Sequence, residues 1–323
     1  MSANKTVVIT GPTASGKTAV ALQVAQHLPC EIISADSALI YRGMNIGTAK
    51  PTLKERQSVP HHLIDIMEPT DSYSTARFVQ DVQSCIQQVH ARNRHALVVG
   101  GTMLYLKAWI EGIDDLPATT PEVRAAVQQE ALNRGWPGMH AWLAEVDPTT
   151  AARLAPNDSQ RIGRALEVFR MTGQPLSALH TRSSHSTSSS ASAFHATPMV
   201  SLEPVNRSWL HERIALRTQT MWDQGFVEEF EQLQRIPQLD PQGPAMRCVG
   251  YRQAYETLHT CGSLQTEAAE SLWKTLTSAA TRQLAKRQLT WLRSMPTRQI
   301  VVADDQKAMS KATQTVISLL TQA

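Results

Sequence analysis

Blocks of consecutive apolar residues alternate with amphipathic stretches through the first hundred positions of the chain. "TVVIT" (Thr6 to Thr10), "CEIISA" (Cys30 to Ala35), "HLIDI" (His62 to Ile66) and "ALVVG" (Ala96 to Gly100) have the length and β-branched content of buried strands. After the first of them, Val20, Val24 and Leu28 recur every fourth residue with Ala21 and Ala25 beside them. That stripe predicts a helix packed on a sheet. Strands separated by helices predict an α/β fold, a doubly wound parallel sheet covered on both faces.

From about Pro117 the pattern becomes helical without intervening strands. "TTPEVRAAVQQEALNRG" has a Thr cap, a Pro in the first turn and a Gly stop, and "PNDSQRIGRALEVFRMTG" has Asn157 or Asp158 as cap and Gly173 as stop. In the second segment Ile162, Leu166 and Phe169 share one face, leaving Arg161, Arg164 and Arg170 elsewhere. "TRSSHSTSSSAS", Thr181 to Ser192, is too rich in serine to form a core and reads as a surface loop. Residues 118–196 are thus expected to form an inserted helical domain. Residues 1–117 and 197–323 make the core, with one more apolar run at Thr197 to Leu202 and then helices to the end.

Composition narrows the class. With 323 residues, 42% of them hydrophobic, the chain can bury one large or two modest cores. No run approaches the roughly 18 to 20 apolar residues of a membrane span, and the N-terminus enters a strand without a signal-peptide pattern, so a cytoplasmic protein is expected. Cys30, Cys85, Cys248 and Cys261 form no Cys-x-x-Cys pair and read as reduced thiols. The net charge is only +3, yet residues 271–303 contain no Asp or Glu and carry Lys274, Arg282, Lys286, Arg287, Arg293 and Arg298. On a helix Arg282, Lys286 and Arg293 fall within about 40° of one another, a geometry suited to following nucleic-acid phosphates, though solvated helix faces can look the same.

The strongest chemical signal is "GPTASGKT", which fits Gly-x-x-x-x-Gly-Lys-Ser/Thr directly after a strand and before a helix. The loop Gly11, Pro12, Thr13, Ala14, Ser15 and Gly16 would wrap two linked phosphates, its backbone amides other than that of Pro12 donating to them, Lys17 would add a mobile charge, and the Thr18 hydroxyl could ligate Mg2+. Asp36, after the second strand, lies at the sheet edge where ligands bind; a turn cap is its plainer role. His61, His62 and Asp65 are residue types that ligate metals, but adjacent strand side chains point to opposite faces and a structural role is favoured. "LVVGGTMLY", Leu97 to Tyr105, is unusual. The strand ends in Gly-Gly-Thr where a phosphate-loop nucleotidase usually places a metal-holding Asp.

Taken in order, the phosphate loop, "ADSALIYRGMNIGTAKP", "PHHLIDI", "VVGGTMLYLKA", "NDSQRIGRALEV", "MRCVGYRQ" and "ATRQLAKRQLTWLR" resemble the bacterial tRNA dimethylallyltransferase family over essentially Thr6 to Arg293. The resemblance implies transfer of a prenyl group from dimethylallyl diphosphate to the exocyclic amine of the adenosine 3′ of the anticodon. It further implies Asp36 as general base, Thr102 at the reaction centre beside glycines that admit the ligand, and Lys17, Mg2+ and Arg217 on the leaving pyrophosphate. Arg217 could equally be a surface arginine of a helix. The segments matching the family's tRNA contacts are Asp36, Ser37, Ala38 and Leu39; Gln160, Arg161, Ile162, Gly163 and Arg164; Arg247, Cys248, Val249, Gly250, Tyr251 and Arg252; and Lys286, Arg287, Gln288, Leu289, Thr290, Trp291, Leu292 and Arg293. Thr102 and Arg124 join them as single positions. The partners implied are the tRNA anticodon stem-loop and dimethylallyl diphosphate, with no membrane and a monomeric chain. A small-molecule kinase and a non-enzymatic RNA-binding module with a vestigial nucleotide site are the competing readings.

Overall fold

The computed structural model of the chain describes residues 4–112, 116–117, 119–183 and 197–322. The chain divides into two units, residues 1–110 with 196–323, and residues 111–195. The helical unit thus starts at Glu111, whereas the change of sequence pattern put its start at 118.

The first unit begins with β1 (Thr6–Thr10), α1 (Lys17–His27), β2 (Cys30–Ser34), α2 (Leu53–Ser58), β3 (His61–His62), α3 (Thr75–Ala91), β4 (His95–Val99) and α4 (Met103–Glu111). Three expected strands form within a residue of their predicted ends. The third does not: it pairs with β2 only at His61 and His62, because Leu63 (φ 60) and Asp65 (φ 56) turn into the left-handed region. Asp65 is held there by Lys50, 2.5 Å away, and Arg56, 2.6 Å away. His62 pairs with the buried Glu31 at 2.6 Å, and His61 Nδ1 lies 2.7 Å from the Val59 carbonyl. The two histidines are structural, and among the described residues no group of three or more His, Cys, Asp or Glu could hold a metal.

In the second unit α5 (Pro121–Val146) is broken at Gly135 (φ 66), the residue at which the sequence predicts a stop. α6 (Pro148–Ala151), α7 (Ser159–Thr172) and α8 (Leu176–Ser183) follow. Asp158 caps α7 by accepting from the Arg161 amide, and Gly173 (φ 68) closes it. Ile162 and Leu166 pack with Val127, Met139 and Leu143 into this unit's own core. The serine-rich loop expected at 181–192 lies outside the described residues from 184 onward.

The chain returns to the first unit with β5 (Met199–Glu203), α9 (Arg207–Asp223), α10 (Phe226–Gln234), α11 (Tyr251–Cys261), α12 (Glu267–Leu292), β6 (Gln299–Val302) and α13 (Ala308–Thr321). β6 corrects the expectation of helices only. Its Ile300 and Val302 are exposed, so it is an edge strand without the apolar continuity of a central one. The parallel sheet runs β3-β2-β4-β1-β5-β6. Val7, Val8 and Ile9 of β1 are fully buried at its centre. A second cluster stacks Phe226 on Trp273, with Phe230, Tyr251, Tyr41 and Met44 around them. Among the described residues no helix is long and apolar enough to cross a membrane.

The strand order positions the site. β4 lies between β2 and β1, so the corner after β4, carrying Thr102, emerges between the segment after β2, carrying Asp36, and the phosphate loop after β1. Three loops distant in sequence thereby meet at one edge of the sheet, where open α/β folds bind ligands.

Candidate active site

The phosphate loop is shaped by its backbone. Gly11 adopts φ 141, and a Cβ there would come 2.5 Å from the Leu202 carbonyl oxygen, so only glycine lets β1 turn into the loop beside β5. Ala14 (φ 63) and Gly16 (φ 101) continue the wrap, and α1 starts at Lys17. The Lys17 ammonium is folded back onto the loop, donating to the carbonyls of Pro12 at 2.7 Å and Gly11 at 3.0 Å. Its pKa falls to about 8: burial is the main cause, the Asp36 carboxylate opposes it, and Arg217 adds to it. Ser15 Oγ is buried with no hydrogen-bond partner among the described residues, and Thr18 is exposed at the first turn of α1. An orphaned hydroxyl and a helix N-terminus make a site ready for an anion.

Asp36 adopts the cap as well as the site position. Its Oδ1 accepts from the amides of Ala38 at 2.8 Å and Leu39 at 3.4 Å, which fixes the carboxylate after β2. No hydrogen bond engages Oδ2 among the described residues, so one oxygen stays free to take a proton. The corner after β4 is tied to the same segment: Thr102 Oγ1 accepts from the Ser37 amide at 3.0 Å and donates to Ser37 Oγ at 3.3 Å, while the Thr102 amide donates to the Ala35 carbonyl at 3.2 Å.

The two glycines before Thr102 also serve the protein's own packing. A Cβ on Gly100 would sit 2.1 Å from the Ala35 carbonyl oxygen, which requires glycine there, and one on Gly101 would sit 2.5 Å from Nε2 of the Gln288 side chain.

Arg217 is at the site, not on an outer helix face. Its Nη2 donates to the Thr48 carbonyl at 3.0 Å, and burial lowers its pKa while Asp36 opposes the shift. One turn earlier on α9, Arg213 donates through Nε to the Ala14 carbonyl at 2.7 Å. Two residues that the sequence did not single out hold this arrangement. The buried Glu229 carboxylate accepts from the amides of Asn45 and Ile46, both at 2.7 Å, from Gly47 at 3.0 Å, and from Tyr251 Oη at 2.5 Å. It thereby anchors the loop whose next carbonyl receives Arg217. Arg213 is the other; its spacing of four from Arg217 was the available signal.

The segments matched to RNA contacts divide by burial. On α12, Lys286, Arg287, Thr290 and Arg293 are exposed, whereas Gln288 and Leu292 are buried. On α7, Gln160 and Arg161 are exposed; Ile162 and Gly163 are buried. Arg164, half-buried, donates to the Pro117 carbonyl at 3.1 Å, and Arg124 lies 3.7 Å from Glu167. Arg247 is exposed, Cys248 and Val249 are half-buried, Gly250 and Tyr251 are buried, and Arg252 pairs with Glu256 at 2.9 Å. The side chains of Ile162, Tyr251 and Leu292 therefore serve the core. Two of the cations in the acid-free run are also spent: Arg298 pairs with Glu203 at 2.6 Å, and Lys274 with Glu270. Arg282, Lys286, Arg287 and Arg293 have no ion-pair partner among the described residues.

Comparison with known proteins agrees with this geometry. A family model described as IPP transferase matches residues 39–295. The chain is 53% identical over 315 residues to the tRNA dimethylallyltransferase of Polaromonas sp., covering 97% of this chain and 95% of that one. To the tRNA dimethylallyltransferase of Burkholderia cenocepacia it is 55% identical over 291 residues, covering 90% and 87%. Among solved structures, the full-length tRNA isopentenylpyrophosphate transferase of Bacillus halodurans aligns with a TM-score of 0.65 at 32% identity, covering 98% of this chain and 97% of that one. A eukaryotic dimethylallyltransferase acting on tRNA shares the fold, with a TM-score of 0.77 at 24% identity over 98% of this chain and 78% of its own. With four-fifths of its length matched by the family model and more than half of the aligned residues identical in these relatives, the chain belongs to the IPP transferase family of tRNA dimethylallyltransferases.

Proposed function

We propose that this chain transfers the dimethylallyl group of dimethylallyl diphosphate to the exocyclic amine of the adenosine 3′ of the anticodon in tRNA, releasing pyrophosphate. The observation that carries the reading is the strand order, which brings the phosphate loop, Asp36 and Thr102 to one sheet edge with Lys17 and Arg217 in electrostatic contact with Asp36. Family membership sets aside the kinase and the non-enzymatic readings.

An adenine amine is a weak nucleophile because its lone pair is delocalised into the ring. As its nitrogen bonds to the allylic carbon, the bond from that carbon to the diphosphate oxygen breaks, and the amine proton leaves to the free Oδ2 of Asp36. The electron pair of the broken bond goes to pyrophosphate. Lys17, Arg217 and the loop amides stabilise the growing charge, with the Ser15 hydroxyl available to a phosphate oxygen. The target base must leave its stack to reach Asp36, and a loop base is cheaper to extract than a paired one.

The site fits Mg2+ held by few protein ligands. Thr18 offers an exposed hydroxyl at the first turn of α1, beside the phosphate position, and this hydroxyl would hold the ion. When bound, the ion would offset part of the diphosphate charge.

The test is mass analysis of nucleosides after incubating the protein with unmodified tRNA, magnesium and dimethylallyl diphosphate. The expected result is one adenosine per reactive tRNA carrying a dimethylallyl group in place of an amine hydrogen. Unmodified adenosine together with steady, tRNA-independent ATP turnover abolished by Lys17→Ala would overturn the reading.

A further inference from the structure

Gln288 sits on α12 between exposed cations, yet it points inward and is only 7% exposed. Its Oε1 accepts from the Thr13 amide of the phosphate loop at 2.8 Å, and its Nε2 donates to the Gly101 carbonyl at 2.8 Å. These two backbone groups belong to the loops after β1 and β4. A Cβ on Gly101 would collide with the same Nε2, so the corner is built around this side chain.

We propose that Gln288 is a positioning residue that holds the phosphate loop and the Gly-Gly-Thr corner in register, and that it couples RNA binding on α12 to diphosphate binding in the loop. The chemistry requires an amide. At neutral pH glutamine both donates and accepts at the end of a side chain of this length; an ionised carboxylate would set a second acceptor against the Gly101 carbonyl, and lysine has no acceptor for Thr13. Both amide atoms bond the protein and the side chain is buried, so Gln288 faces the site's interior although its neighbours Lys286, Arg287, Thr290 and Arg293 are exposed. An RNA backbone seated on those residues favours one placement of α12. Through Gln288 it favours one placement of the loop, and linkage makes the effect reciprocal. This inference rests on the proposed transferase reading and deepens it.

The experiment measures inorganic pyrophosphate affinity by calorimetry, with and without a saturating anticodon stem-loop RNA, for the wild type, Gln288→Glu and Gln288→Met. In the wild type, RNA should tighten pyrophosphate binding by about fivefold or more, the usual scale of coupling between sites. Gln288→Met should weaken pyrophosphate binding about tenfold and abolish the coupling, with RNA affinity in the absence of pyrophosphate unchanged. Gln288→Glu should behave likewise at pH 8 but recover toward wild-type affinity at pH 5, where a protonated carboxyl again donates to Gly101 and accepts from Thr13. Measured relative to the wild type and to Gln288→Met at each pH, which share the change in Lys17 charge and in pyrophosphate protonation, that recovery is one a general folding defect would not produce. Wild-type pyrophosphate affinity and coupling in both variants would overturn the inference, as would a loss of RNA affinity matching that of Lys286→Ala. A wild type that binds no pyrophosphate would instead defeat the transferase reading.

Discussion

Donor binding should switch off as Lys17 deprotonates. The ammonium is enclosed between the Gly11 and Pro12 carbonyls, and burial lowers its pKa from 10.5 to about 8, with Arg217 adding to the shift and Asp36 resisting it. The ligand-free protein then carries about nine-tenths of that charge at pH 7 and about one-tenth at pH 9. Diphosphate binds the charged form and raises the pKa again in the complex. Affinity for dimethylallyl diphosphate should therefore be flat below pH 7 and fall about tenfold per pH unit above 8, until the pKa of the complex is reached. Arg217 stays ionised, burial holds the Cys248 thiol near 12, and a terminal phosphate has lost its second proton by about pH 7. Stability should slope the other way. Because the unfolded chain binds the extra proton between pH 8 and 10.5, the ligand-free fold becomes more stable as pH rises through that interval. The assay is calorimetric titration of dimethylallyl diphosphate from pH 6.5 to 9.5 (an experimental range of about three units) on the wild type and on Lys17→Arg, which keeps its charge throughout. A flat wild-type profile, or the same fall in Lys17→Arg, would refute the assignment.

Asp36→Asn preserves the acceptor for the Ala38 and Leu39 amides but cannot take the amine proton, so turnover should fall by roughly two to four powers of ten with tRNA affinity little changed; near-normal single-turnover rates would remove Asp36 from the base role. Replacing Lys286 and Arg293 together with Ala should weaken tRNA binding and reduce the log–log salt slope by about one unit per lost phosphate contact, leaving pyrophosphate affinity intact. An unchanged slope would assign that face of α12 to another partner. Glu229→Leu leaves three amides and the Tyr251 hydroxyl without their acceptor, so urea denaturation should show a loss of about 3 kcal/mol or more, and the donor KM should rise as Arg217 loses its anchored carbonyl. Wild-type stability in that variant would mean that the Asn45 to Gly47 loop has another support.

Features carried by local chemistry were legible in the chain. The phosphate loop needs only a strand, a glycine pattern and a helix start in succession, and the Gly135 break and Asp158 cap follow from residues beside them. "HLIDI" misled because its apolar residues suit a strand while Lys50 and Arg56 draw Asp65 into a left-handed turn. β6 was missed because an exposed edge strand lacks a continuous apolar run. The supports of the site were hidden for a different reason. Gln288 bonds a residue 275 positions away, and Glu229 bonds amides 182 to 184 positions away. Inside "FVEEFEQLQ" that glutamate looks like any solvated charge of an amphipathic helix, since periodicity reports which face is apolar and not which polar group is buried with partners.

The Gly-Gly-Thr corner can now be explained by what surrounds it. A nucleotidase needs a carboxylate at the end of this strand to hold a metal and, near it, a group that orients water. Prenyl transfer requires no attacking water, and an aspartate at position 102 would stand against the Ser37 segment that fixes Asp36. Two carboxylates so placed would repel, and the added negative charge would oppose the charge growing on the leaving pyrophosphate. Threonine avoids that conflict. Its hydroxyl accepts from the Ser37 amide and donates to the Ser37 hydroxyl, joining the base-bearing segment to the corner without adding charge. Gly100 admits the Ala35 carbonyl and Gly101 admits Gln288, so the same three residues tie the corner to the base on one side and to the phosphate loop on the other. In the proposed mechanism, the strand end that positions a metal in a hydrolase would set the spacing between Asp36 and the phosphate loop, the geometry that transfer to an amine requires.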